Sequence, residues 1–216
     1  MHDQPAGAAD RLPRSVTVVV PVRSFESAKS RLGEVLDAEE RRELVARLLR
    51  RIVHAALATP GVDEVLVVSP DPELLAYAAT LGARPVPQRS IGLNPAITEA
   101  RASTPNAGRL LVLPGDVVAV SVEAIDALLA AGDLAGSPSV VLAPDRHGRG
   151  TNALLLDPPG VIDPAFGPDS RSDHAARAAA AGAAYVEVDG PLALDIDTPD
   201  DLLLAEDGPL EVLGVD

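Results

Sequence analysis

Two apolar runs in this chain end in carboxylates, at positions suited to divalent-cation chemistry. Leu110-Leu111-Val112-Leu113-Pro114-Gly115-Asp116 reads as a buried strand that opens through Pro-Gly onto an acid. Leu192-Ala193-Leu194-Asp195-Ile196-Asp197-Thr198-Pro199 does the same with two acids. If 192–197 is extended, Asp195 and Asp197 point to one face. Carboxylates at the carboxyl ends of strands in an α/β sheet are where hard cations and polyphosphates meet. Each acid alone also reads as a helix cap or a turn residue. The combination favours a metal site at Asp116, Asp195 and Asp197.

A second set of groups carries positive charge. Val16–Val22 reads as a first, central strand, and the loop after it holds Arg23, Lys29 and Arg31. That loop is neither a Gly-x-Gly-x-x-Gly turn nor a Walker loop, so no dinucleotide or P-loop site is supported. Lys29 is suited to neutralise an α-phosphate during attack, and the planar fork of Arg31 to grip outer phosphates. The alternative is that all three are plain surface charges. Two hydroxyls stand beside turns: Thr151 follows Gly148-Arg149-Gly150, and Ser170 stands where an N-cap belongs, with free backbone amides for an anion. Ser170 reads equally well as a cap and nothing more.

No serine lies in a Gly-x-Ser-x-Gly elbow, and His2, His54, His147 and His174 have no metal-ligand spacing. A reaction without a protein nucleophile fits this inventory: direct nucleotidyl transfer, driven by metal and positioning. The net charge of −14 argues against general nucleic-acid binding. It leaves room for a phosphorylated small substrate, bridged to the protein by a divalent cation. There is no Cys, which removes disulfides and thiolate chemistry.

The positioning elements follow from periodicity. With 47% hydrophobic but only 2% aromatic residues, the core is built from Ala, Val, Leu and Ile. Apolar positions Leu44, Val45, Leu48, Leu49, Ile52, Val53 and Ala56 predict an amphipathic helix over 38–59, with Arg42, Arg47, Arg50 and Arg51 on a solvated face. Strands are predicted at 64–69, 84–86, 110–113, 139–143, 151–156 and 184–188. Helices are predicted at 71–81, 96–103, 122–131, 171–181 and 200–206. This βαβα alternation, turning strand-rich later, predicts a three-layer α/β/α fold with a mainly parallel sheet and an added antiparallel element. Residues 1–15 read as a flexible leader and 16–216 as one domain. No segment reaches membrane-spanning length and the leader is too polar for a signal peptide, so a cytoplasmic location is expected.

Seven segments occur in a familiar order. They are Pro21-Val22-Arg23, Ser27-Ala28-Lys29-Ser30-Arg31-Leu32, Gly92-Leu93-Asn94, Leu113-Pro114-Gly115-Asp116, Gly150-Thr151-Asn152-Ala153-Leu154, Phe166-Gly167-Pro168-x-Ser170 and Asp195-Ile196-Asp197-Thr198-Pro199. The chain resembles the 2-phospho-L-lactate / phosphoenolpyruvate guanylyltransferase family of coenzyme F420 biosynthesis, over about 16 to 205. Lys-Ser-Arg-Leu and Phe-Gly-Pro-x-Ser are fairly specific to that family. Pro-Gly-Asp and Asp-Ile-Asp-Thr-Pro are shared with wider nucleotidyltransferases.

The resemblance implies a GT-A-like nucleotidyltransferase fold, GTP as donor, a phosphorylated three-carbon acid as acceptor, release of pyrophosphate, and Mg²⁺. It implies acceptor-phosphate contacts at Thr151, Gly167 and Ser170, and metal contacts at Asp116, Asp195 and Asp197. The nucleotide falls to Arg23, Lys29, Arg31, Gly92 and Asn94, with Lys29, Arg31 and Asp116 as the catalytic set. Phosphoenolpyruvate is the favoured acceptor and 2-phospho-L-lactate the alternative; a nucleic acid or membrane partner is not expected, and a homodimer is left open. A nucleotidyltransferase for a sugar or pterin phosphate, or a non-catalytic nucleotide-binding regulator, are the rival readings. One departure stands out: Asp169 puts a negative charge beside the phosphate site, unless it points away or meets Arg171.

Overall fold

A computed structural model describes residues 15–25, 30–196 and 200–201. Strands β1 (Val16–Pro21), β2 (Val62–Ser69), β3 (Arg84–Pro87), β4 (Arg109–Val112), β5 (Ser139–Pro144), β6 (Thr151–Asp157) and β7 (Ala184–Glu187) make one sheet. Their order is β3-β2-β1-β4-β6-β5-β7. All run parallel except β6, which lies antiparallel between β4 and β5. The expected mainly parallel sheet with one antiparallel element is therefore present. Because β6 is reversed, its first residue, Thr151, lies at the same sheet edge as the carboxyl ends of the parallel strands.

Alternation along β1 builds the two outer layers. Val16, Val18 and Val20 pack with α1 (Ala38–Ala58), α2 (Pro72–Thr80) and α4 (Val122–Ala135), whereas Val19 packs on the opposite side with α3 (Leu93–Ala102) and α5 (Ser170–Ala180). Helix α1 starts at a complete capping box, Asp37 with Glu40, and its buried stripe is the one the periodicity predicts. Helix α4 runs a turn past the predicted end because Gly132 is a packing glycine: a Cβ there would come within 2.8 Å of Leu155 Cδ2.

A third, smaller cluster joins three site-bearing segments. Leu32, from the 3₁₀ turn Ser30–Glu34, packs with Leu44 and Leu48 of α1, with Val118 after β4, and with Ile196. Four expectations need correction. Of the run read as extended, the described residues 192–196 are not a strand: Pro191 opens a 3₁₀ turn over Pro191–Ala193, and Asp195 then makes an isolated bridge to Val117. Helix α3 begins three residues earlier than predicted, because Gly92 adopts φ +113° and starts it directly.

The solvated-face reading of the α1 arginines also fails in part. Arg51 is partly buried and its Nε donates to the Val120 carbonyl at 3.0 Å; Arg42 pairs with Glu73 and lies 4.4 Å above the Phe25 ring. Finally, Ser170 is the first helical residue of α5 and not its N-cap, which is Asp169. Of the predicted closing helix, only Asp200 and Asp201 are among the described residues; the leader up to Arg14 is outside them. Among the described residues no helix is long and apolar enough to cross a membrane.

Candidate active site

The carboxyl end of β1 is held by β2. Ser69 Oγ donates to the Arg23 carbonyl at 3.1 Å and accepts the Asp71 amide at 3.1 Å. Asp71 uses both oxygens: Oδ1 caps α2, and Oδ2 accepts the Phe25 amide at 3.0 Å. Arg42 then covers the Phe25 ring. Ser69, Asp71 and Arg42 thus fix the stem of the cationic loop; Ser69 and Asp71 were not singled out from sequence, where the Ser69-Pro70-Asp71-Pro72 run at a strand end was the available signal, and Arg42 was read only as a solvated charge. Arg23 itself is exposed. Lys29 and the Arg31 side chain lie outside the described residues, as does Asp197.

Asp116 follows β4 through a glycine that has to be one. A Cβ on Gly115 would come 2.7 Å from Val22 Cγ2, and the Gly115 amide donates to the Pro21 carbonyl at 3.2 Å. The Pro-Gly turn therefore presses Asp116 against the end of β1. Asp116 is joined to the second acidic segment through backbone: its carbonyl accepts the Ile196 amide at 3.1 Å, and the Val118 amide donates to the Leu194 carbonyl at 3.0 Å. Two acids far apart in sequence, Asp116 and Asp195, come onto adjoining strands of chain. Asp195 is held in turn by Asn152, whose Nδ2 lies 3.2 Å from its Oδ1. The same nitrogen lies 3.0 Å from the Leu192 and Ala193 carbonyls.

Thr151 and Ser170 are both buried, at 6% and 1% exposure. Ser170, His174 and Ala178 form the inward stripe of α5. Thr151 Oγ1 meets His174 Nδ1 at 3.1 Å, one turn beyond Ser170, and the Arg171 amide bonds the Arg149 carbonyl at 3.0 Å. These contacts bring the Thr151 and Ser170 segments together. Among the described residues the Ser170 hydroxyl has no side-chain hydrogen bond. Gly167 has open space where a Cβ would sit.

Asp169 does not face the hydroxyls unpartnered. Arg149 takes its Oδ1 through Nε and Nη2 at 3.0 and 2.7 Å, and both side chains are exposed. Arg171, the partner anticipated from sequence, is instead bidentate to Glu187 at 2.9 and 2.7 Å, which holds the Glu187 carboxyl below its usual range.

Asn94 ties the other side of the site. Its Nδ2 donates to the Phe166 carbonyl at 3.0 Å and its Oδ1 accepts the Phe166 amide at 2.8 Å. The Gly92–Asn94 turn and the Phe166-Gly167-Pro168 loop are thereby locked to each other. Glu99 accepts the amides of Arg89 and Ser90 at 2.9 Å each, which lowers its pKa and steadies the turn from behind.

Taken together, the edge offers carboxylates next to the Thr151 and Ser170 hydroxyls. Among the described residues no group of three His, Cys, Asp or Glu could hold a metal. Mg²⁺ does not need one, since it is usually held by one or two carboxylates with substrate phosphates and water. The pairing of the Asp116 and Asp195 segments fits such an ion.

A phosphoenolpyruvate guanylyltransferase from Rubrobacter xylanophilus is 44% identical over 196 residues, covering 89% of this chain and 94% of that protein. Among solved structures, one described as a nucleotide-diphospho-sugar transferase from Desulfovibrio desulfuricans superposes with a TM-score of 0.71 at 15% identity, covering 91% of this chain and 90% of the other. Glucosyl-3-phosphoglycerate synthase from Mycobacterium tuberculosis, solved with Mg²⁺ and uridine-diphosphate, gives 0.61 at 16% identity, covering 88% and 74%. These structural likenesses establish a GT-A-like, three-layer α/β/α fold. A family model described as "Guanylyl transferase CofC like" matches residues 16–206, and with the sequence relatives it shows that this chain belongs to that guanylyltransferase family.

Proposed function

We propose that the protein transfers the guanylyl group of GTP to the phosphate of phosphoenolpyruvate, giving enolpyruvoyl-2-diphospho-5′-guanosine and pyrophosphate, as a step of coenzyme F420 biosynthesis. The observation that carries the proposal is the backbone pairing of the Asp116 and Asp195 segments, beside the Thr151 and Ser170 turn, in a chain of this family. A phosphate oxygen of the acceptor attacks the α-phosphorus in line; the bond from that phosphorus to the β-phosphate bridging oxygen breaks, and pyrophosphate leaves. The acceptor phosphate is already ionised at neutral pH, so the chain needs no general base.

Asp116 and Asp195, with Asp197, are the residues that would hold Mg²⁺. The ion supplies charge neutralisation between the two anionic substrates. Lys29 and Arg31, with Arg23, balance the triphosphate from the loop after β1. Gly92 and Asn94 border the nucleotide at the start of α3, and the lock of Asn94 on Phe166 couples the nucleotide side of the site to the acceptor side. Thr151 and Ser170 receive the acceptor phosphate, assisted by the dipole at the start of α5; the first two amides of that helix, expected from sequence to be free for an anion, are instead taken by the Gly167 and Arg149 carbonyls. Gly167 leaves the approach open.

A pyrophosphate-release assay tests the proposal. GTP with phosphoenolpyruvate and Mg²⁺ should turn over faster than any other nucleoside triphosphate or than GTP with 2-phospho-L-lactate. A preference for 2-phospho-L-lactate would move the acceptor but keep the chemistry. No pyrophosphate from any pair would leave a nucleotide-binding regulator.

A further inference from the structure

The proposed reaction makes no use of His174, yet α5 buries that residue completely. Its two ring nitrogens have different partners. Nε2 lies 2.9 Å from the Ala165 amide, which can only donate, so Nε2 must carry a lone pair. Burial, and secondarily the Arg177 cation, push the imidazole pKa down to about 4, so the ring is neutral. Its one proton is then on Nδ1, which lies 3.1 Å from Thr151 Oγ1. The ring donates and the hydroxyl accepts. No other partner takes the Thr151 hydroxyl among the described residues, so its own proton remains to be given away.

A hydroxyl has one proton to donate and two lone pairs that accept, and a phosphate oxygen needs a donor. Because the ring N–H occupies a lone pair and leaves the proton unspent, the Thr151 hydroxyl can donate to an anion in front of it. The second contact of His174 matters as well. It fixes Ala165, while Asn94 fixes Phe166 on both its amide and its carbonyl. The Phe166 ring also stacks edge-on with His174 at 5.2 Å. One buried imidazole thus touches both the start of β6 and the Ala165–Phe166 loop.

We infer that His174 is a positioning residue for the acceptor, committing the Thr151 hydroxyl to donate to the acceptor phosphate and fixing the loop that carries Gly167 and Ser170. This rests on the reading of Thr151 as an acceptor contact, and the variants are chosen to separate the two. Steady-state kinetics with GTP and phosphoenolpyruvate would compare wild type with Thr151→Val, His174→Leu, His174→Gln, His174→Asn and the double variant Thr151→Val/His174→Leu. Asn places an amide N–H near the Nδ1 position; Gln reaches toward the Nε2 position instead.

Thr151→Val and His174→Leu should each raise the acceptor KM about tenfold or more with the GTP KM unchanged. His174→Asn should recover more of that loss than His174→Gln. The double variant should be no worse than the worse single, because both remove one donated proton. If Thr151→Val leaves the acceptor KM unchanged, the reading of Thr151 fails and the inference with it. If Thr151→Val raises it while His174→Leu changes only thermal stability, or if the two effects multiply, the positioning role alone is overturned. ¹⁵N NMR of histidine-labelled wild type gives a readout independent of the variants' folding: a proton on Nε2 instead of Nδ1 would also overturn it.

Discussion

Asn152 Nδ2 lies 3.2 Å from Asp195 Oδ1 and 3.0 Å from two successive backbone carbonyls, those of Leu192 and Ala193. Two hydrogens are therefore shared among three acceptors on a buried side chain. The amide orients a proposed metal acid and the 3₁₀ turn that delivers it. Outer-shell partners of metal ligands of this kind are commonly worth about 10–100-fold in metal affinity or activity.

Asn152→Ala should accordingly raise the Mg²⁺ concentration needed for half-maximal activity by about tenfold or more. It should also destabilise the fold by about 1–3 kcal/mol, because buried carbonyls lose their donor. Asn152→Asp should be worse on both counts, since it sets a carboxylate against three acceptors. Mg²⁺ titration of turnover, beside a thermal melt, measures both. An unchanged Mg²⁺ requirement in a folded Asn152→Ala protein would remove Asn152 from the site.

Asp116→Asn is nearly isosteric, and the Asp116 contact to Ile196 runs through backbone, so the fold should survive. Loss of a charged ligand at the reacting centre should slow turnover roughly a hundredfold or more. EDTA should abolish wild-type activity and Mg²⁺ restore it. Near-normal turnover of Asp116→Asn would sink the metal assignment.

The sheet and its helices were legible because they depend on local periodicity. The α1 stripe from Leu44 to Ala56 and the valine runs of β1 and β2 declare themselves within a few residues. The place of Asp116, half-buried at the turn after β4, was legible because Pro-Gly ends a strand. What sequence could not give are pairings between distant residues: Asn94 with Phe166 is 72 positions apart and Asn152 with Asp195 is 43. Nothing local says whether an Asn amide faces a ligand or clamps a neighbouring loop.

The 192–197 run misled for a different reason. Short apolar stretches do not separate strand from turn by period alone, and Pro191 tipped this one into a 3₁₀ turn. The arginines of α1 were misplaced because a helical pattern shows only which face is polar. It does not show that another loop, here the one carrying Phe25, will come to lie across that face.

That last point changes how the cationic loop should be tested. Lys29→Ala should lower kcat more than it raises the acceptor KM, because the charge matters most as the transition state forms. Arg42→Ala is not a neutral control, since it would uncover Phe25 at the stem of the same loop. Arg50 is exposed on the same helix and makes none of these contacts, so Arg50→Ala should match wild type. Equal maximal rates for Lys29→Ala and Arg50→Ala would return Lys29 to the surface.

The buried imidazole should also leave a signature in stability. In the unfolded chain His174 titrates near its ordinary value of 6.5, whereas folding holds it at about 4. The unfolded state thus binds the proton first as pH falls. Stability from the neutral ring is complete above pH 6.5 and is lost between 6.5 and about 4. The full loss over that window is on the order of 3 kcal/mol. Carboxylates titrate at its lower end too, so the informative quantity is a difference between proteins. Urea unfolding at pH 7.0 and pH 4.5 should cost wild type more than His174→Asn, which has no ring to protonate. The two should differ mainly in slope between pH 6.5 and 5, where few acids titrate. Parallel pH–stability curves for the two proteins would mean that His174 takes up its proton in the folded state, and that Thr151 is then held by a charged ring.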